Sequence, residues 1–417
     1  MVSKFTQNIR HPLVANSFYL YLAHFADYLL LLLILPFIAR VLGPSALGEV
    51  GLAQTFGLFI LLLMEFGFPL MATRQVARIK DDVKQLKDFV SELFMFKLFL
   101  IPVALFLSFL AIWTVPVFKN NPHYILITSF GAIFQSLSPI WFFQGIEKIR
   151  TIAISKTVFR ILGFLIIFYY VRSSQDGWII LLAYSLSSVL ICGYLLAYMT
   201  SIIGRFHLSS FKKVWAIFRK TQYSFLITIL PAIYNNLGII ILSTIVTPLQ
   251  LGYYYGAARI HRALNTLYGP VGQALYPHLA SMGYSKNDQT KKVIKKFLWI
   301  MLSIAILFCM GLYFFAHPLI QVLLGPEFFA AEKTLKLFGV VLPLTAISHV
   351  LGRQWLMVAD YERQYSNILT IASLVGMISI IVLIKPFGIL SIPLSLIIFE
   401  SLTIVLILFI LRQNTLW

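Results

Sequence analysis

Tyr255, Arg259, Arg262 and Thr266 follow one another at steps of four, three and four, the spacing that sets side chains on one face of an α-helix. They stand inside an apolar stretch, residues 252–277, long enough to cross a bilayer. Counted from Gly252, Arg259 lies about 10 Å and Arg262 about 15 Å from the stretch's start. An ionised side chain near the bilayer centre costs about 2.5–3.5 kcal/mol on insertion scales, so it requires water, a partner or a ligand. Guanidinium groups present forked donors that match phosphate oxygens and remain charged at every physiological pH. The stripe therefore points to recognition of a phosphate-bearing ligand. The competing reading is a static set of ion pairs with Asp27, Glu65 or Glu400. Gly269-Pro270 is expected to break the helix just beyond the stripe.

Five further ionised residues fall in apolar stretches: Asp27, Glu65, Lys97, Arg160 and Glu400. Lys97 and Arg160 lie about 12–14 Å from one end of their stretches, where a long side chain partly snorkels, and are expected to line a cavity. Asp27, three residues after His24, is expected near mid-membrane, where a carboxylate can exchange a proton as its surroundings change. Asp27, Glu65 and Glu400 are the candidates for coupling to H+ or Na+ or for lining the cavity, although Glu65 in LLMEFGFPL equally suits a pair with Arg74. For His24, His261, His278 and His349 the default is a hydrogen-bonded structural imidazole. Asn235 and Asn236 suit a sugar or a bond across helices. Trp141 and Tyr253 to Tyr255 suit stacking on sugar rings.

Other chemistries find no support. No GxxxxGK[ST] occurs, so P-loop ATP hydrolysis is not expected and uphill movement would draw on an ion gradient. Cys192 and Cys309 both fall in apolar stretches, which argues against a disulfide framework or a cysteine metal site. No metal, no cofactor and no enzymatic activity are predicted.

The elements that must hold these residues are membrane spans. Of the 417 residues 59% are hydrophobic and 12% charged, mean hydropathy is +0.87, and yet the net charge is +18. A soluble fold of this size has no means of hiding so much apolar surface. Twelve spans are predicted, near 15–38, 50–72, 89–112, 123–143, 152–171, 178–199, 223–246, 252–277, 297–316, 335–358, 365–384 and 388–411. Of the 33 Lys and Arg, 23 fall on or beside one alternating set of connecting segments that includes both termini, 6 on or beside the other set and 4 deep inside spans. The positive-inside rule makes both termini cytoplasmic. The charge is thus a topology signal and an affinity for anionic lipid, and nucleic acid is not expected as a partner. The first apolar run is too long for a removable signal peptide and is expected to stay as the first span.

The chain repeats itself. VLGPSALGEVGLA (41–53) follows the first span and IVTPLQLGYYYGA (245–257) the seventh, so that Pro44, Leu47, Gly48 and Ala53 match Pro248, Leu251, Gly252 and Ala257 at one offset. A weaker echo pairs PIWFFQGIEK (139–148) with RQWLMVADYE (353–362). The offset spans six helices, an even number, so the halves share their orientation about an axis along the membrane normal. The expected architecture is all-α: an N-lobe (1–205), a cytoplasmic linker (206–222) and a C-lobe (223–417), each lobe of six helices, around a central cationic cavity. A monomer is expected, since such a pair encloses its own cavity.

ARVLGPSALGEVGLAQTF (39–56), MEFGFPLMATRQVAR (64–78), WFFQGIEKIR (141–150), LGYYYGAARIHRAL (251–264), QALYPHLA (273–280) and LLGPEFFAA (323–331) occur in this order. Together they resemble the Wzx-type O-antigen and polysaccharide flippases of the multidrug/oligosaccharidyl-lipid/polysaccharide exporter superfamily. The resemblance implies a two-lobed inner-membrane transporter that moves undecaprenyl-diphosphate-linked oligosaccharide from the cytoplasmic to the periplasmic leaflet by alternating access. It also implies association with a polysaccharide polymerase and a chain-length regulator, and charged cavity residues that meet diphosphate and glycan. Arg259 and Arg262 fit that role, and Arg160 and Lys97 carry over as cavity residues. The alternatives are an ion-coupled drug or metabolite antiporter of the same superfamily, or a non-transporting scaffold for glycan assembly. Four cations against three anions in the spans favour an anionic cargo.

Overall fold

The computed structural model describes residues 12–207, 234, 236, 238–266 and 288–414, with side chains from Leu33 onward except Leu70, Asp288 and Gln289. Among these residues every regular element is a helix. The first, α1 (Pro12–Glu65), joins the first two predicted spans across a kink at Gly43, whose φ of 70° and ψ of 176° lie outside helical space. The expected loop between the spans is reduced to this kink, a conformation that glycine adopts at no steric cost.

The second span ends earlier than its hydropathy suggests. Phe66 and Gly67 take positive φ (47° and 72°), and α2 (Phe68–Ile79) begins immediately with Pro69 in its first turn, where a missing N–H costs nothing. The segment between the second and third predicted spans is accordingly mostly helical. Asp82 caps α3 (Val83–Thr114) by accepting from the Gln85 N–H at 2.9 Å. Then follow α4 (Pro116–Asn120), α5 (Pro122–Leu137), α6 (Ile140–Gly145), α7 (Ile149–Tyr170) and α8 (Gly177–Ile203). The break between α5 and α6 falls at Ser138-Pro139, where proline disfavours helical geometry in the residue before it.

Beyond the seventh span, which lies largely outside the described residues, come α9 (Pro248–Asn265), α10 (Asp288–Leu323) and α11 (Glu332–His349). The last runs directly into a π-helical segment, Val350–Leu356. The chain closes with α12 (Glu362–Phe387) and α13 (Ser391–Gln413). Eight described stretches are long and apolar enough to cross a membrane; the longest, Glu362–Gln413, holds two predicted spans. Phe106, Trp113, Phe168, Leu307, Phe314 and Val382 are more than half exposed, which is stable when the surrounding solvent is hydrocarbon.

The chain divides into two compact units, residues 1–37 with 52–232, and residues 38–51 with 233–417. In the first, α5 and α7 both pack on α8, α3 packs on α5 and α2 on α6. Its core gathers Phe66, Phe68, Phe96, Trp141, Phe142 and Phe143. Small residues bring the helices close: Ser185 donates to the Ile127 carbonyl at 2.7 Å and Ser187 to the Phe159 carbonyl at 3.0 Å, contacts favoured where no water competes.

In the second unit α10 packs on α11, α12 on α13, and α11 on both α13 and α9. The segment 38–51 seats against α9 here, and Arg40 donates to the Val322 carbonyl at 2.8 Å.

Candidate functional site

Helix α9 starts sharply because Thr247 and Gln250 cap it reciprocally. Gln250 N–H donates to Thr247 Oγ1 at 3.3 Å, and Thr247 N–H donates to Gln250 Oε1 at 3.1 Å. This box and Pro248 at the first position fix where the helix begins and thus the depth of each residue that follows. Leu251 to His261 are buried apart from the half-buried Tyr253. Of the predicted stripe, Tyr255 and Arg259 are 5% and 8% exposed, Arg262 is exposed and Thr266 is half-buried. The helix ends at Asn265, before Gly269-Pro270, which lie outside the described residues. α9 thus carries one buried and one open guanidinium a single turn apart. His261 is buried and stacks on Phe338, the centroids 4.6 Å apart and the rings 20° from parallel.

The same unit holds Glu400, 7% exposed on α13. Thr345 Oγ1 donates to its Oε1 at 2.9 Å, and Ser348 Oγ bonds its Oε2. Both hydroxyls come from one face of α11. A second hydroxyl cluster adjoins it: Ser379 Oγ donates to Ser395 Oγ at 2.7 Å, Ser395 Oγ donates to the Gly376 carbonyl at 2.7 Å, and Tyr234 Oη lies 3.2 Å from Ser395 Oγ. Sequence reading singled out none of these hydroxyls. The available signal was Thr345 and Ser348 at a step of three within an apolar run, LPLTAISH.

In the first unit Lys97 is 2% exposed and donates to the Ser136 carbonyl. The charges of Lys97 and Lys156 both act on the half-buried Glu65, so the structure brings Lys97 and Glu65 together. Arg160 borders a shallow recess with Gly163, Tyr184 and Ser187. Trp141 is buried in the aromatic core, edge-on to Phe89 at 6.3 Å and to Phe142 at 6.3 Å. Outside the spans, Lys80 donates to Glu147 Oε1 at 3.0 Å, and this hydrogen bond with the carboxylate's charge raises the ammonium above its ordinary value.

Asp27 and His24 fall on α1 where side chains lie outside the described residues, as do Asn235 and His278 entirely. Asn236 is described and buried.

Residues 13–283 match the family described as polysaccharide biosynthesis protein. The chain belongs to this family. Two curated relatives, both named "Putative O-antigen transporter", align along nearly the whole chain. That of Escherichia coli (strain K12) is 29% identical over 409 residues, covering 96% of this chain and 97% of its own. That of Shigella dysenteriae is 25% identical over 402 residues, covering 94% and 98%. Among solved structures, the lipid II flippase MurJ in its inward closed conformation superposes with a TM-score of 0.73 at 16% identity, over 96% of this chain and 87% of its own. At that identity the likeness carries the fold alone: a two-lobed, all-α membrane protein.

Proposed function

We propose that this protein is a flippase that moves undecaprenyl-diphosphate-linked oligosaccharide, an O-antigen or related repeat unit, from the cytoplasmic to the periplasmic leaflet of the bacterial inner membrane by alternating access. The observation that carries the reading is the alignment with two relatives named for O-antigen transport over more than nine-tenths of each chain. The chemistry of α9 supports it. Arg259 and Arg262 are one turn apart, and a diphosphate offers two groups of oxygens to two forked donors.

In this reading the open Arg262 meets the diphosphate first and the buried Arg259 engages as the site closes, while the polyprenyl tail stays in lipid. Neutralising the head group's charge lowers the cost of carrying it through the membrane. Both termini face the cytoplasm. The protein works as a monomer alongside a polysaccharide polymerase and a chain-length regulator, with H+ or Na+ as the coupling ion.

The test is the leaflet distribution of lipid-linked oligosaccharide in cells lacking the protein, complemented with wild type or with Arg259→Ala/Arg262→Ala at matched expression. Accumulation in the cytoplasmic leaflet, reversed by wild type and not by the double variant, is the expected outcome. Normal leaflet distribution and normal surface glycan in the deletion, in a strain with no second flippase, would sink the proposal.

A further inference from the structure

Glu400 lies nine residues into α13, about 13–14 Å along its axis and close to the middle of a hydrocarbon layer about 30 Å thick. Among the described residues no lysine, arginine or histidine forms an ion pair with it. Among the described residues its two oxygens are met by hydroxyls alone, Thr345 at Oε1 and Ser348 at Oε2. An ionised carboxylate so placed has only two neutral donors to offset its lost hydration.

Counting protons favours the protonated acid. A serine hydroxyl has a single hydrogen to donate, and Ser348 Oγ has two acceptors in reach, Glu400 Oε2 and the Thr345 carbonyl at 3.1 Å. With Glu400 ionised, both contacts share the one Ser348 hydrogen. With Glu400 protonated on Oε2, every contact is made once. Glu400 donates to Ser348 Oγ, Ser348 donates to the Thr345 carbonyl, and Thr345 Oγ1 donates to Glu400 Oε1. The hydrogen bonds then run in one direction around a ring between α11 and α13.

Among the described residues the other titratable groups nearby supply no compensating charge in contact with it. Tyr234 from the seventh span and Tyr365 from α12 lie close enough to feel a charge on Glu400, and neither brings a positive charge to it. Arg353, in the π-helical segment, is exposed and hydrogen-bonds the Tyr365 hydroxyl. His349 follows Ser348 in the chain. That π-helical segment begins two residues after Ser348, and such segments are places where a helix changes register at functional sites.

We propose that Glu400 is a proton-binding site, that it holds its proton in the conformation described here, and that its exchange with water is a step of the transport cycle. Displacement of Ser348 from Glu400 opens the ring, water enters, and the proton leaves Oε2 for water; the carboxylate is reprotonated before α11 and α13 close again. The link to transport rests on the flippase reading, whereas the protonation does not.

Two measurements on the full-length protein in lipid test it. The first is the infrared difference spectrum of wild type minus Glu400→Gln at pH 7, with and without sodium chloride. The amide introduced by Glu400→Gln can both donate to Ser348 and accept from Thr345, so the variant keeps the ring and folds with an unchanged melting temperature. A carbonyl stretch of a protonated acid, indifferent to sodium, is expected; an ionised-carboxylate signal, or a protonated band removed by sodium, overturns the proton site. The second is export of lipid-linked glycan by the same variant, expected to fall about tenfold or more because a permanently neutral side chain stalls the conformational cycle. Export by Glu400→Gln at the wild-type level overturns the coupling. If wild type itself moves no glycan, the flippase reading fails while the infrared result still decides the state of Glu400.

Discussion

Gly48 and Gly252 each stand where a side chain would strike the other's turn: a Cβ on Gly252 would lie 1.8 Å from the Pro44 carbonyl oxygen, and one on Gly48 would lie 2.4 Å from that of Pro248. Since Pro44 matches Pro248 and Gly48 matches Gly252 in the sequence repeat, the contact is reciprocal. Two copies of one motif pack on each other as in a two-fold interface. Alanine at either glycine meets backbone that has no rotamer to yield. Each substitution is expected to cost about 1–3 kcal/mol, read as a lowered unfolding midpoint in detergent. An unchanged midpoint in both variants would contradict the reciprocal packing.

Arg259 and Arg262 separate by exposure. Lysine keeps the charge but gives up the planar fork. Arg259→Lys is expected to weaken apparent affinity for a diphosphate head group about 10- to 100-fold, the loss of one charge-assisted hydrogen bond. Arg262→Lys, at an exposed site, is expected to lose less. Titration of the purified variants with a soluble prenyl diphosphate measures both, and equal losses would contradict the distinction.

Lys97 poses a stability question. Lys97 is buried, donates to the Ser136 carbonyl and lies within electrostatic reach of the half-buried Glu65, and losing a buried charged donor costs about 1.5–3 kcal/mol. Lys97→Met should lower the unfolding midpoint, and adding Glu65→Gln should restore part of the loss. A double variant no better than the single one would mean that the bond to Ser136, rather than the charge on Glu65, is what Lys97 supplies.

Tyr234 packs its ring against Gly376, whose Cβ position lies 2.5 Å from Tyr234 Cε2, and stacks on Phe399 at 4.9 Å. Tyr234→Phe removes only the hydroxyl contact with Ser395 and is expected to cost about 1 kcal/mol. Gly376→Ala displaces the whole ring and is expected to cost about 1–3 kcal/mol. Chemical denaturation of the two variants side by side gives the order.

The spans were legible because length and apolarity are local properties: a run that must cross hydrocarbon shows itself without reference to its neighbours. The breaks were less so. Gly43 reads as one residue of a loop, yet here it is a kink within α1. Phe66-Gly67 sits in a run whose hydropathy continues to residue 72, and only the backbone angles reveal the turn. The partners of the charges were not legible at all. Glu400 is conspicuous in sequence as an acid in an apolar helix, but its proximity to Thr345 and Ser348, more than fifty residues away, depends on how α11 and α13 pack. Likewise the spacing of Tyr255, Arg259, Arg262 and Thr266 gave a common helical face, while which of them lies open depended on what covers α9.

Residues 38–51 fold with the second unit while the rest of the chain up to residue 232 forms the first, so the polypeptide passes between units at three places rather than one. A cut in the segment 206–222 leaves a C-terminal fragment without a strap that belongs to its own fold, and an N-terminal fragment carrying a strap with nothing to seat it. Neither fragment should accumulate when expressed singly. Produced together from separate genes, the two should assemble in trans, because the strap travels with one half and completes the other.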